Sequence, residues 1–265
     1  MQQRRPYYSV VPNVTSLLVN HAEASSTYHS LQAGLEKRLS NGLAFQTSYT
    51  FSHWIDNAVS EAGYGSQGPN PQDLNNRRLE RGNDPADLRH RLVYSWIYEL
   101  PLGKGKRWVS QGVWLPRIVG GWQINGITSL QSGLPFTVTL ASPGTNTGTG
   151  NRADRTGGGS LSRDQRTLSR FFDTNAFQTP AQFKYGNAGR DILYGPGLVN
   201  FDFSLFKNIR FSEARSLQFR SEFFNLFNTP QFGLPDGTLG AFTFGTISSL
   251  AGTMRQIQFS LKLLF

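Results

Sequence analysis

The sequence predicts an all-β chain: an antiparallel, up-and-down wall of about eight strands, of the kind that crosses an outer membrane in a β-barrel. Three observations predict it. Apolar and polar residues alternate with period two along most of the chain. Short and long connections alternate between those stretches. Aromatics are plentiful where charge is sparse: 13% aromatic against 16% charged, with 28 glycines to supply turns. The 265 residues include no cysteine, so there is no disulfide framework and no thiolate chemistry. No run of about 18 apolar residues is present, so no transmembrane helix is predicted; strands escape that test because alternate residues alone need be apolar.

Each element follows from the pattern. NVTSLLVNH is predicted as an opening strand. TYHSLQAGLEKRLS sets Leu31, Ala33, Leu35 and Leu39 against Ser30, Gln32, Glu36 and Arg38. Asn41-Gly42, a strong hairpin signal, leads into LAFQTSYTFSHW, where Leu43, Phe45, Tyr49 and Phe51 oppose Ala44, Gln46, Ser48, Thr50 and Ser52. LRHRLVYSWIYEL aligns Leu88, Leu92, Tyr94, Trp96, Tyr98 and Leu100, and GGWQINGITSLQSG aligns Trp122, Ile124, Thr128 and Leu130. LVNFDFSLFKNI places Val199, Phe201, Phe203, Leu205 and Ile209 opposite Asn200, Asp202 and Ser204. SLQFRSEFFNLF places Leu217, Phe219, Phe223 and Phe227 opposite Gln218, Arg220 and Glu222. RQIQFSLKLLF is the last strand and ends on Phe265.

The links sort by length. Asn41-Gly42 and NIRFSEARS are short, and PLGKGKRWVSQGVWLP is moderate. Residues 58–87, 141–197 and 229–250 are long, with a possible short helix at SRDQRTLSRFF. Outer-membrane barrels have short periplasmic turns and long extracellular loops, which puts Phe265 on the periplasmic side. The same alternation also suits a soluble sandwich or a lipocalin-like barrel with its apolar face inward. Three features favour the membrane. Aromatics lie near strand ends (Tyr49, Phe51, Trp54, Trp96, Tyr98, Trp114, Trp122), as interfacial girdles do. Lys37 and Lys207 sit on apolar faces beside short turns, from which they can snorkel. And the chain stops on a strand phenylalanine.

The formal charge of +9 raises nucleic acid as a partner. The basic residues are dispersed, with no stripe or recognised module, so no nucleic-acid partner is predicted. Arg77, Arg78 and Arg81 suit contact with anionic lipopolysaccharide. MQQRRPYYSVVP has no apolar core and is not a secretory signal.

Five stretches, in order, carry a family resemblance: NDPADLRHRLVYSWIYELPLGKGKRW, GGWQINGITSLQSGLPFTV, RFFDTNAF, GNAGRDILYGPGLVNFDFSLFKNIRF and LQFRSEFFNLFNTPQFG. They resemble the carboxyl-terminal barrel region of TonB-dependent receptors of the Oar-like type, from roughly residue 28 onward. The resemblance implies residence in the outer membrane and transport, with outer-membrane lipid and lipopolysaccharide around the wall. It also implies a plug domain and TonB as partners in a full-length parent. Such receptors carry a signal peptide, a carboxypeptidase-regulatory-like domain and a plug, none of which is expected in residues 1–265, so the chain is expected to be a partial barrel. The resemblance also names the terminal pattern. Ile257, Phe259, Leu261, Leu263 and Phe265 match the alternating signal read by the barrel-assembly machinery, which pairs with a strand edge by β-augmentation.

The polar faces carry Glu36, Arg38, Arg89, Arg91, Glu99, Asp202, Arg220, Glu222 and Lys262. In a barrel these face the lumen, either lining a path and gripping a plug or standing as ordinary wall charges. The long loops suit hydrogen bonding to a sugar or peptide, and suit a mobile, unspecialised loop equally well. Asp84 and Asp87 are a candidate calcium pair, or turn chemistry around Pro85. His21, His29, His53 and His90 have no metal-ligand spacing. LGKGKR lacks the phosphate-loop spacing, and neither a Gly-x-Ser-x-Gly elbow nor a nucleophile–base pair is present. No catalytic residue, metal or cofactor is predicted. A standalone eight-stranded barrel with a structural or adhesive role, and a soluble β-domain binding carbohydrate or nucleic acid, are the alternatives.

Overall fold

Asn41 and Gly42 both take left-handed backbone, with φ of 54° and 80°. This is the conformation a two-residue hairpin turn demands, because it matches the twist of the flanking strands. A Cβ on Gly42 would lie 2.7 Å from the Glu99 carbonyl oxygen, so glycine is required there. The turn joins β1 (Ser26–Ser40) to β2 (Leu43–Asp56). The computed structural model describes residues 7–13, 23–58, 71–73, 75–112, 114–145, 151–212 and 215–265. The expected opening strand lies almost wholly outside these, as does His21.

Five more long strands follow: β3 (His90–Glu99), β4 (Trp122–Gln131), β5 (Leu198–Arg210), β6 (Ser216–Phe224) and β7 (Gln256–Leu264). They pair in chain order, each antiparallel to the one before, and Gly82–Asn83 adds a short pairing on β2. The result is a meander with no crossover. Its links alternate as expected, short or moderate at one end and long at the other.

Register carries the alternation across the whole sheet. Glu36 pairs with Gln46, Gln46 with Ser95, Ser95 with Ile127 and Ile127 with Asp202. One row over, Leu35, Thr47, Tyr94, Thr128 and Phe201 align in the same way. A slip of one residue would exchange the faces. Trp96 lies over its partner Gly126, where an added Cβ would come within 2.6 Å of the indole. Glycine here makes room for an aromatic on the neighbouring strand.

Among the described residues, the buried apolar ones are Phe136, Val138, Ala153, Phe172, Ala176, Phe177, Ala188 and Leu193. All belong to the long link between β4 and β5, and none to a wall strand. The apolar wall face is instead open: Leu31, Leu35, Phe259 and Leu261 are 62–67% exposed. A soluble sandwich would pack that face, so the arrangement favours lipid as its neighbour.

The core belongs to a body built from the long links. Pro135–Phe136 pairs with Leu193–Tyr194, Thr139–Leu140 with Thr238–Leu239, and Asp154–Arg155 with Phe177–Gln178. Phe172 is its hub, with ring centroids 5.5 Å from Phe136, 5.9 Å from Phe177 and 5.3 Å from Phe244. The expected helix over SRDQRTLSRFF is reduced to one 3-10 turn at Arg163–Gln165, because Phe172 is drawn into this core.

Two further expectations change. Trp54 is not in a girdle on the lipid face. It shares parity with Ser52 and Asp56, stands T-shaped to Tyr28 at 6.0 Å and donates from Nε1 to Ser26 Oγ at 2.6 Å. Lys207 does not snorkel outward. Its Nζ donates to the carbonyls of Arg117 (3.0 Å), Ile118 (2.7 Å) and Gly120, capping the C-terminal end of the short helix α1 (Leu115–Val119).

Candidate functional site

The face opposite the apolar one forms a hollow of about 570 Å³, lined by Glu36, Arg38, Gln46, Asn125, Asp202 and Glu222 and, with them, by Ile97, Ile127, Phe206 and Phe224. Register explains the gathering, because these residues share one parity on adjacent strands. Asp202 Oδ1 accepts from Asn200 Nδ2 at 3.0 Å and from the Asn225 backbone N–H at 2.9 Å. Four of the expected lumen residues therefore meet: Glu36, Arg38, Asp202 and Glu222.

The other five do not line that hollow; Glu99 ends β3, where it meets Lys106 at 3.2 Å. Arg91 stands higher on the same face, opposite Thr50 and Gln131. Arg220 lies lower, its Nε donating to Gln218 Oε1 at 2.6 Å and its guanidinium 4.8 Å from the Phe206 ring. Lys262 pairs with Gln218 on β7. Arg89 precedes β3 and belongs to the loop base, 3.0 Å from Asp87 Oδ2 and 3.3 Å from Tyr194 Oη.

Ile257, Phe259, Leu261 and Leu263 stand on the apolar face, opposite Phe223, Ser221, Phe219 and Leu217 of β6. Phe265 follows the strand and is 94% exposed. Among the described residues, the outer edge of β7 has no strand partner.

Sequence reasoning missed the polar network that ties the loop body together. Arg152 and Glu80 form an ion pair of 2.8 Å, with side chains 2% and 0% exposed. Arg152 also donates to the carbonyls of Ala188 and Leu79, both at 2.9 Å. Gln72 donates from its backbone to Glu80 Oε1 at 2.8 Å and accepts from the Arg152 backbone at 2.7 Å. Arg190 reaches Asp56 at the top of β2 and the carbonyl of Ala58. Asp191 Oδ1 accepts from Thr137 Oγ1 at 2.8 Å.

Burial raises the Asp191 carboxyl to about 6, against the lowering effects of Thr137 and Arg190. Burial likewise lowers Arg190 from its ordinary value, opposed by the charge of Asp191. No sequence signal marks these residues, since their partners are far apart in the chain.

The acids of the GNDPAD stretch serve structure. Asp84 Oδ1 accepts from the Ala86 N–H at 2.7 Å, and Asp87 Oδ1 from the Trp54 N–H at 2.8 Å. Among the described residues, no group of three or more acidic or histidine side chains is placed to hold a metal. His53 Nε2 lies 3.1 Å from Asn83 Oδ1, and His90 Nδ1 lies 2.9 Å from Tyr49 Oη.

An open apolar strand face, a hollow with charged groups behind it and a loop cap with its own core suit a membrane wall. The family described as "Outer membrane beta barrel domain" matches residues 1–258. The chain belongs to this family. No curated protein and no solved structure matches it. In this outer-membrane barrel domain the row through Leu35 and Phe201 lies on the apolar face of the sheet, and the row through Glu36 and Asp202 on the opposite face. The loop body stands at one end of the strands, α1 and the short turns at the other.

Proposed function

We propose that this barrel domain is part of the wall of a TonB-dependent receptor of the Oar-like type, taking up a substrate through its lumen. The observation that carries the proposal is the pairing of a hollow of mixed charged and apolar lining with a loop body that has its own core and buried ion pairs. Such a mouth keeps its shape, as a binding entrance must. In this reading Glu36, Arg38, Asp202 and Glu222 face the plug domain, and TonB engages that plug from the periplasm. The alternating residues from Ile257 to Phe265 offer the free β7 edge to the barrel-assembly machinery. Exposed Arg78 and Arg81, with half-buried Arg77 beside them, meet lipopolysaccharide at the loop end.

The natural absence of cysteine makes single-cysteine variants clean reporters. Gln46→Cys, Asn125→Cys and Glu222→Cys are expected to react with a membrane-impermeant maleimide in the outer membrane, while Phe45→Cys and Leu205→Cys stay protected. If the wall belongs to a TonB-dependent receptor, labelling at Glu222→Cys changes when TonB is deleted or the proton gradient is collapsed. Identical labelling in all those states would remove the transport assignment and leave the wall intact.

A further inference from the structure

The link between β3 and β4 does more than connect them. We propose that residues 100–121 form a docking surface for the anionic phospholipid headgroups of the periplasmic leaflet. This rests on the short-turn end facing the periplasm, and not on TonB or on any substrate.

Charge is the first observation. The link carries Lys104, Lys106, Arg107 and Arg117 and no acidic residue. Lys104, Lys106 and Arg117 border a hollow of about 740 Å³ together with Arg210 from β5. Glu99 at the end of β3 meets Lys106 at 3.2 Å, so the excess remains strongly positive.

Apolar exposure is the second. Trp114 is 74% exposed, Ile118 65% and Leu115 57%, with Trp108 at 54%. In water these side chains would form a costly patch. At the membrane boundary, tryptophans and aliphatic side chains enter the acyl edge while lysines and arginines reach phosphates. The patch lies at the short-turn end of the wall, where Lys37 and Lys207 also stand, and adds four cations there.

The link is also held in place. Leu102 bridges to Trp108, and a Cβ on Gly103 would sit 2.6 Å from the Gly120 Cα, so its two limbs touch. Trp122 Nε1 donates to the Ile118 carbonyl at 3.2 Å, on the same turn that the Lys207 ammonium caps. These bonds satisfy the helix end from the wall side and leave Trp114, Leu115, Arg117 and Ile118 outward. A free phosphate ion would need converging donors in an enclosed site, whereas these cations are spread over an open surface.

The test uses the full chain extracted from outer membranes in a neutral detergent. Native mass spectrometry counts bound phosphatidylglycerol and phosphatidylcholine, offered equally with matched acyl chains. Phosphatidylglycerol is expected to exceed phosphatidylcholine on the order of tenfold, and raising salt from about 50 to about 500 mM shrinks that preference. The variant Lys104→Gln/Lys106→Gln/Arg107→Gln/Arg117→Gln is expected to bind both lipids about equally, with heat-modifiable gel mobility retained. The variant Arg77→Gln/Arg78→Gln/Arg81→Gln, at the other end, keeps the preference. Equal binding by the unmodified chain overturns the proposal without reference to any variant. A preference kept by the quadruple variant overturns it too, as does one lost by the Arg77 set. Displacement of the lipid by inorganic phosphate, with Trp114→Ala binding unchanged, would replace it with a free-anion site.

Discussion

Arg152→Ala tests whether the loop body is held by its buried ion pair. The guanidinium binds the Glu80 carboxylate at 2.8 Å and two backbone carbonyls at 2.9 Å. Removing it leaves the carboxylate in a site that is 0% exposed, without its cation. Breaking a buried pair on one side costs about 3–5 kcal/mol, mostly through the charge left behind. The two carbonyls add about 1–3 kcal/mol each where water does not reach them. The loss falls on docking of the 71–83 segment onto the 151–190 segment, and not on the wall, whose ladder shares none of these bonds.

Hydrogen exchange reads this directly. The amides of Leu79 and Arg81 donate within the turn at Arg77–Glu80. Their exchange is expected to accelerate by about two to three decades, or until the segment is fully open, at about 1.4 kcal/mol per decade. The amides of β2 and β3 should keep their protection. Glu80→Gln/Arg152→Met removes both charges and should exchange more slowly than either Arg152→Ala or Glu80→Gln alone. Unchanged exchange in Arg152→Ala would refute the argument. So would a double variant that opens as the sum of its singles, or a wall that loses its heat-modifiable mobility.

Asp191 supplies a pH dependence. Its folded pKa of about 6 lies above the ordinary 3.8, so the folded loop binds a proton more tightly than the opened one. Its contribution is therefore complete below about pH 4 and lost as pH rises through about 6, on the order of 3 kcal/mol in all. Asp191→Asn should flatten that slope in exchange measured over 137 and 190–194; an unchanged slope counts against it. Gly126→Val would drive a side chain into the Trp96 indole, costing about 1–3 kcal/mol as overpacking does. The readout is a lower temperature for loss of heat-modifiable mobility, with an accompanying shift in tryptophan emission. Phe265→Asp should lower the folded yield in the outer membrane more than any single substitution in the 141–197 loop; equal yields would leave the terminal phenylalanine with no role in assembly.

The wall was legible because alternation is a local property. For β5, the pattern in LVNFDFSLFKNI assigns Phe201 and Phe203 to one face and Asp202 to the other, and the register with β4 and β6 keeps them there. Errors arose where a strand ends. Phe227 extends the period of β6 on paper, yet Asn225 turns left-handed at φ 51° and the ring departs to stand T-shaped against Phe201 at 5.2 Å. Trp54 looked interfacial by type, but its parity belongs to the polar face. The loop body was illegible for a different reason. Glu80 and Arg152 are 72 residues apart and Arg190 and Asp56 are 134 apart, and nothing in the residues around either partner marks the other. Composition gave the opposite impression, since Gly, Asn, Thr and Ser mark mobile loops as readily as packed ones.

The two halves of the molecule answer to different physics, and this bears on how it can work. The wall has no buried apolar core among its described residues; backbone ladders hold it, and its apolar face is open, as suits an outer-membrane barrel domain. The loop body has a Phe172-centred core and buried ion pairs, and needs no lipid for either. Bonds at the strand tops join them: Arg190 to Asp56, Trp54 to Asp87, Asp84 to Trp54, Ser52 to Leu88, the Gly82–Asn83 pairing on β2, and Gln231 to Val199 of β5. These contacts lie at strand tops, on three separate links. The charges of Glu36, Arg38, Asp202 and Glu222 sit lower, in the hollow, where register and not loop packing sets their spacing. If the barrel takes up a substrate as proposed, entrance and path are set by separate residues: loop packing shapes the first and strand register the second.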